Sequence, residues 1–254
     1  MIYPKNINLS IERVKEVPST NTYLSQLCKE SKAKEFYTVI TNNQTAGRGQ
    51  RGNSWESENG KNLTFSTVVF PTALAAKEQF YLSMTVAFAI VDALRDYTDG
   101  FSIKWPNDIY WNDKKIAGIL IENELEGPYV TQSIIGIGLN VNQEEFHSPA
   151  PNPVSLFQII GTSIDREELF NKIIRGIMGG YIFLDTAYTE AVPHIRTLYK
   201  KSLYRKKGFY PYRDANGEFM AEFHDVESSG HLVLKDEQGV LRSYAFKEVE
   251  FILP

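Results

Sequence analysis

The 254-residue chain has a single cysteine, four histidines and no long apolar run. With Cys28 alone, neither an internal disulfide nor a multi-cysteine zinc site can form. His147, His194, His224 and His231 are widely spaced and follow no metal-ligand pattern. No stretch approaches the ~20 apolar residues that span a bilayer; even VAFAIVDAL is interrupted by Asp92. The first ten residues, MIYPKNINLS, lack the basic and apolar segments of a signal peptide, which points to the cytoplasm. An excess of positive charge is missing too. With 27 Lys and Arg against 31 Asp and Glu, the net charge of −4 argues against a general binder of nucleic acid or anionic membrane. There is no internal repeat and no low-complexity tract.

What the chain does have is core material, with 43% hydrophobic residues and 13% aromatic ones. STNTYLSQLC (19–28) reads as a capped helix start, and FYTVITNN (36–43) and LTFSTVVF (63–70) as strands. Between about 75 and 97, Tyr81, Met84, Phe88 and Val91 recur at helical spacing. FSIKW, DIYW and KKIAGILIEN follow as strands, the last two joined by an Asn112-Asp113 turn, and 129–141 is a further apolar strand. HSPAPNPVS reads as an ordered loop, and 165–185 and about 189–200 as helices. After Tyr204 short alternating segments separated by Asn-Gly, Ser-Ser-Gly and Gln-Gly describe a small all-β unit. The expectation is an α+β chain with a mixed domain at 1–203 and a β domain at 204–254.

Three stretches carry chemistry. TAGRGQRGNSW (45–55) is a cationic glycine loop: glycines let backbone approach an anion, and Arg48 and Arg51 supply forked donors for carboxylate or phosphate. It has neither the Walker pattern nor the strand–loop–helix context of a dinucleotide fingerprint. A solvated surface loop is the plain alternative. In KWPNDIYWNDKKIAGILIE (104–122), Lys104, Asn107, Asp108 and Lys115 flank a rigid Trp-Pro step. Lys115 opens an apolar strand, where its charge needs an anionic partner unless it snorkels to water. GIGLNVN (136–142) adds two glycines and asparagines at a strand end. An asparagine amide can pair with the edge of adenine, although an ordinary turn reads the same way.

In this order and spacing, STN, QTAGRGQRGNSW, KWPNDIYWNDKKIAGILIE and GIGLNVN resemble the biotin protein ligases, over about residues 19–160 and loosely to the C-terminus. The resemblance implies a catalytic domain of the biotin/lipoate ligase type followed by a small SH3-like β domain. It implies ATP-dependent formation of biotinyl-5′-AMP and transfer of biotin to one lysine of a biotin carboxyl carrier protein, with Mg²⁺. By similarity, Ser19, Thr20, Asn21 and Gln44 surround biotin's ureido ring, and Gly47, Arg48 and Gly49 pass over its tail. Arg48 and Lys115 hold the carboxylate and α-phosphate, Arg51 contacts phosphates, and Gly118 forms the wall on which biotin packs. Trp55 orders the loop against the nucleotide, Asn140 reads adenine, and Asn107 and Asp108 position phosphate, with Asp108 a candidate Mg²⁺ ligand.

Two departures from the family stand out. Gln50 replaces a frequent arginine, which removes one charge that would retain the adenylate. Lys247 stands where glycine often precedes Glu-Val, which leaves the turn there in question. A lipoate or octanoate transferase on the same fold is the rival enzyme. A DNA-binding repressor is not expected, because STN already begins at residue 19 and the charge is acidic. Monomer and homodimer both remain open.

Overall fold

A computed structural model describes residues 8–148 and 152–254, without the side chain of Arg51. Strands Ser10–Val17 (β1), Tyr37–Gln44 (β2), Leu63–Val69 (β3), Phe101–Lys104 (β4), Asp108–Trp111 (β5), Lys114–Glu126 (β6) and Tyr129–Leu139 (β7) form one seven-stranded sheet. Its order is β1-β2-β3-β7-β6-β5-β4. β1 and β2 run parallel, and every other neighbouring pair is antiparallel, so the sheet is mixed, as expected. Helices Thr20–Lys29 (α1), Phe80–Leu94 (α2), Leu156–Ile160 (α3), Arg166–Thr186 (α4) and Tyr188–Lys201 (α5) complete this part.

Period-2 alternation divides the sheet into two faces with different tasks. On β3, Phe65 and Val69 join the main core under α2, α4 and α5; Phe65 meets Phe170 of α4 edge-to-face at 5.0 Å. The intervening Val68 faces α1 instead, where it packs with Leu24, Val39 and Ile134 in a smaller cluster. α1 covers only part of that second face, and the remainder is left open to a ligand. α1 starts at Ser19, whose hydroxyl accepts from the Thr22 N–H at 3.5 Å, so the expected cap is the observed one.

The C-terminal strands Tyr210–Asp214 (β8), Gly217–Val226 (β9), Leu232–Asp236 (β10), Leu241–Tyr244 (β11) and Glu250–Phe251 (β12) make a separate five-stranded antiparallel sheet, ordered β11-β10-β9-β8-β12. This is the small β unit that the turn spacing announced. It is docked on the larger sheet. Trp105 Nε1 donates to Gly230 O at 2.8 Å, and the Asp225 carboxylate meets Arg196 at 3.1 Å and Lys200 at 2.5 Å on α5. Lys104 lies 4.9 Å from the Phe251 ring and 5.3 Å from Tyr110, and burial holds its ammonium below the usual lysine range. Tyr212, Leu234 and Phe251 belong to the same apolar core as α2 and α4.

Three local details differ from the sequence reading. β1 was not anticipated; α2 begins only at Phe80, after a tight turn at Ala76–Glu78; and α3, directly after the Pro-rich loop, was not assigned. The Pro-rich segment 147–155 is described except at 149–151.

Candidate active site

The open part of the sheet face beside α1 is floored by residues two apart on adjacent strands. These are Gly136 and Gly138 on β7, Gly118 and Leu120 on β6, and Thr64 on β3. Gly118 and Gly138 are register partners. A Cβ on Gly138 would stand 2.4 Å from the Trp55 indole and one on Gly118 3.1 Å from it, so only this bare pair lets a planar ring lie on the sheet. Above the floor is a cavity of 540 Å³, a volume suited to a ligand of drug size or larger.

One end of the cavity is a polar cluster built at the start of α1. The Thr20 N–H donates to Gln44 Oε1 at 3.0 Å, which fixes the glutamine amide at the end of β2. Ser66 Oγ lies 2.7 Å from Thr20 Oγ1 and 2.6 Å from Asn21 Oδ1. A hydroxyl has one proton to give and Asn21 Oδ1 can only accept, so Ser66 donates to Asn21 and accepts from Thr20. Asn21 Nδ2 in turn donates to Glu122 Oε2 at 2.7 Å. Asn21 is thereby 3% exposed and committed on both ends of its amide, so it orients its neighbours. Ser19, Thr20 and Gln44 keep polar capacity toward the cavity.

The Gly/Arg loop folds into a small hairpin across the cavity mouth. Arg48 bridges to Ser54, the Gly49 N–H donates to Asn53 O at 2.6 Å, and the Trp55 N–H donates to Gly47 O at 3.0 Å. The Arg48 guanidinium reaches Glu122 Oε2 at 3.0 Å. Glu56, which ends the cationic stretch, turns away and accepts from the backbone of His147 and Ser148 at 2.9 and 2.7 Å. Burial alone would raise its carboxyl; those hydrogen bonds outweigh it and hold the group below the usual range.

At the opposite end Lys115 finds the anion that its strand position demands: Asp108 Oδ1, at 2.7 Å. Its ammonium also lies 5.6 Å from the Trp55 ring. Asp108 is set in place by its neighbour. The Asn107 amide donates to Ile119 O, and the Ile119 N–H returns a bond to Asn107 O at 3.1 Å, clasping the Trp-Pro-Asn-Asp turn onto β6. Asn140 donates from Nδ2 to Val154 O at 3.1 Å, while its Oδ1 is buried without a partner, as is Trp55 Nε1. Buried, unpaired polar atoms are uncommon in proteins, and these two flank the nucleotide end of the expected site.

Ser19, Thr20, Asn21, Gln44, Arg48, Gly49, Trp55, Asn107, Asp108, Lys115 and Gly118 thus line one cavity. Gly47 and Asn140 do not line it. Gly47 is packed within the loop, where a Cβ would meet Trp55 O at 2.4 Å, and Asn140 is buried with its amide on Val154 O. The Arg51 side chain is outside the described residues. Sequence reasoning did not assign Thr64, Gly136, Gly138, Phe246 and Ser148, which also line the cavity, or Glu122 at its rim. The alternation on β3, β6 and β7 was the signal for Thr64, Gly136, Gly138 and Glu122; Phe246 comes from the distant β unit and had none. Among the described residues no group of three His, Cys, Asp or Glu could hold a metal ion, and no helix is long and apolar enough to cross a membrane.

The chain belongs to the biotin/lipoate A/B protein ligase family, whose model matches residues 14–140, the stretch that carries the glycine floor, the Gly/Arg loop and Lys115. Among its relatives, the bifunctional ligase/repressor BirA of Bacillus spizizenii is 30% identical over 240 residues, 90% of this chain and 70% of that protein. The biotin–[acetyl-CoA-carboxylase] ligase of Paracoccus denitrificans is 31% identical over 210 residues, 79% of this chain and 85% of that one. In structure, the biotin protein ligase of Aquifex aeolicus in complex with biotin and ATP superposes with a TM-score of 0.76 at 25% identity, covering 96% of this chain and 99% of that one.

Proposed function

We propose that the chain is an ATP-dependent biotin–protein ligase, the enzyme named in its relatives. The observation that carries this reading is one cavity that joins a hydroxyl-and-amide cluster at one end to Arg48 and Lys115 above a glycine floor. A biotin carboxylate oxygen attacks the α-phosphorus of ATP, pyrophosphate leaves, and the carrier lysine then attacks the acyl carbon and releases AMP. Neither step needs an enzyme nucleophile. The protein's task is to bring two anions together. At 4 Å their repulsion is about 4 kcal/mol in an environment of intermediate dielectric, and two fixed cations offset it.

In this reading Ser19, Thr20 and Gln44 hold the ureido ring and Asn21 keeps them in register. Gly47, Arg48 and Gly49 cross the tail, and Arg48 and Lys115 neutralise carboxylate and α-phosphate. The bare Gly118–Gly138 pair accepts flat groups. Trp55, Asn107 and Asn140 frame the nucleotide, with the buried, unpartnered Asn140 Oδ1 as the acceptor for the adenine amino group, and Arg51 serves the outer phosphates. Among the described residues that line the cavity Asp108 is the one carboxylate, and it is shared with Lys115. That donor set fits an Mg²⁺ ion carried in on the nucleotide, where the metal would neutralise phosphate charge. Residues 204–254 are best taken as a β domain added to a catalytic unit at 1–203. The partner is a biotin carboxyl carrier domain, and the ligase acts on it as a monomer or homodimer in the cytoplasm, where ATP is supplied.

The test supplies purified protein with ATP, Mg²⁺ and either biotin or lipoate, and follows the acyl-adenylate and an added carrier domain by mass spectrometry. Biotinyl-AMP and a mass gain on the carrier with biotin alone are expected; lipoyl transfer would move the activity to the rival acid. Lys115→Ala should slow adenylate formation by about 10²–10³, the effect of removing one donor from a developing negative charge.

A further inference from the structure

Resting on the ligase reading, we propose that Glu122 is a positioning residue that holds Arg48 on an internal carboxylate until the ligand's own anion replaces it. Three observations carry this. Arg48 lines both the main cavity and a neighbouring one of 580 Å³, whereas Glu122 lines only the second. Their contact at 3.0 Å therefore leans the guanidinium out of the cavity in which Arg48 is needed. Glu122 also lies on the same sheet face as Gly118 but four residues further along β6, which is roughly 13 Å at the rise of a strand. Lys115 is at the Gly118 end, so the two cations are parked at opposite ends of the floor. Finally, the Glu122 carboxylate is not free to follow Arg48. Its Oε2 also accepts from Asn21, whose other end is fixed by Ser66.

The arrangement is an anion exchange. In the structure Arg48 and Lys115 each sit on a carboxylate, Glu122 and Asp108, and are kept apart. When a ligand carboxylate enters, Arg48 leaves Glu122 for it, and the loop that carries Arg48 moves with it over the ligand tail. Glu122 and Arg48 are both well exposed, so the pair is weak enough to be broken by a ligand.

The experiment is a double-mutant cycle read by titration calorimetry with biotin, and with biotinol, which carries a hydroxyl where biotin has its carboxylate. Glu122→Gln keeps an acceptor for Asn21 but removes the charge that competes for Arg48. It should bind biotin about two- to fivefold more tightly than the wild type, the range set by an exposed ion pair. Biotinol affinity should not change, and in an Arg48→Ala background Glu122→Gln should have no effect on biotin. Tightening that persists without Arg48 would mean simple repulsion between Glu122 and the ligand, and would overturn the exchange. Unchanged or weaker binding in Glu122→Gln would overturn it as well. A wild type that binds biotin while the cycle fails sinks this proposal alone; a wild type that does not bind biotin sinks the ligase reading with it.

Discussion

A methyl group at position 136 would stand 2.2 Å from Asn21 Oδ1, a distance no side chain tolerates. The obstacle cannot move aside, because Asn21 is tied to Ser66 on one side and Glu122 on the other. Gly136→Ala should therefore break the Thr20–Ser66–Asn21–Glu122 chain, destabilise the fold by about 1–3 kcal/mol as other overpacked cores are, and weaken biotin binding tenfold or more. Thermal unfolding and calorimetric titration would check both parts. A variant with wild-type biotin affinity would mean that Asn21 does not organise the pocket. Gly136 also marks the limit of reading residues singly. In GIGLNVN the glycines read as an ordinary strand-end turn, yet their spacing of two places both on one face of β7. Lys115 was more legible: a charge opening an apolar strand calls for an anion, and Asp108 supplies it at 2.7 Å.

Elements show where sequence patterns carry and where they fail. β2, β3 and β7 are rich in β-branched and apolar residues and were legible, as was the Asn112 turn, where Asn112 has φ of 49°. β1 was not legible, because an edge strand reading SIERVKEV is mostly exposed and its apolar positions do not alternate. α3 did have a signal: Ser155 and Gln158 form a capping box that the prolines around it obscured. The turn before β12 is a departure with a measurable consequence. Lys247 has φ of 74°, the left-handed region that glycine occupies readily and a side chain does not. Lys247→Gly should raise stability by about 0.5–1 kcal/mol, since relief of the left-handed penalty exceeds the added chain entropy. Chemical denaturation would show it as a higher midpoint with an unchanged slope. A lower midpoint would mean that the lysine side chain contributes more than its backbone costs.

At the scale of the molecule, the pocket depends on the attachment of the β unit, which contributes Phe246 to the cavity and covers Lys104 and Trp105. None of this was visible in sequence, where the β unit reads as an independent appendage; the contacts join residues more than a hundred positions apart. Asp225 offers a way to probe the attachment. Burial alone would raise its carboxyl, but the Lys200 ammonium, the Val226 N–H and Arg196 outweigh burial and hold it below the usual carboxylate range. A carboxylate depressed in the folded state contributes stability that is fully present above its unfolded value of about 3.9 and fades as pH falls through the folded value. Asp225→Asn removes that contribution at every pH. The wild type should therefore melt above the variant by about 2–4 °C at pH 7, the equivalent of about 1 kcal/mol for a partly exposed pair in a chain of this size. The gap should hold down to about pH 4 and close below it, as the wild-type carboxylate also takes up its proton. A gap that is constant across the whole range would reduce Asp225 to an uncharged hydrogen-bond partner. A gap that widens toward acid would reverse the sign of the linkage and remove the ion pair from the forces that hold the β unit against α5.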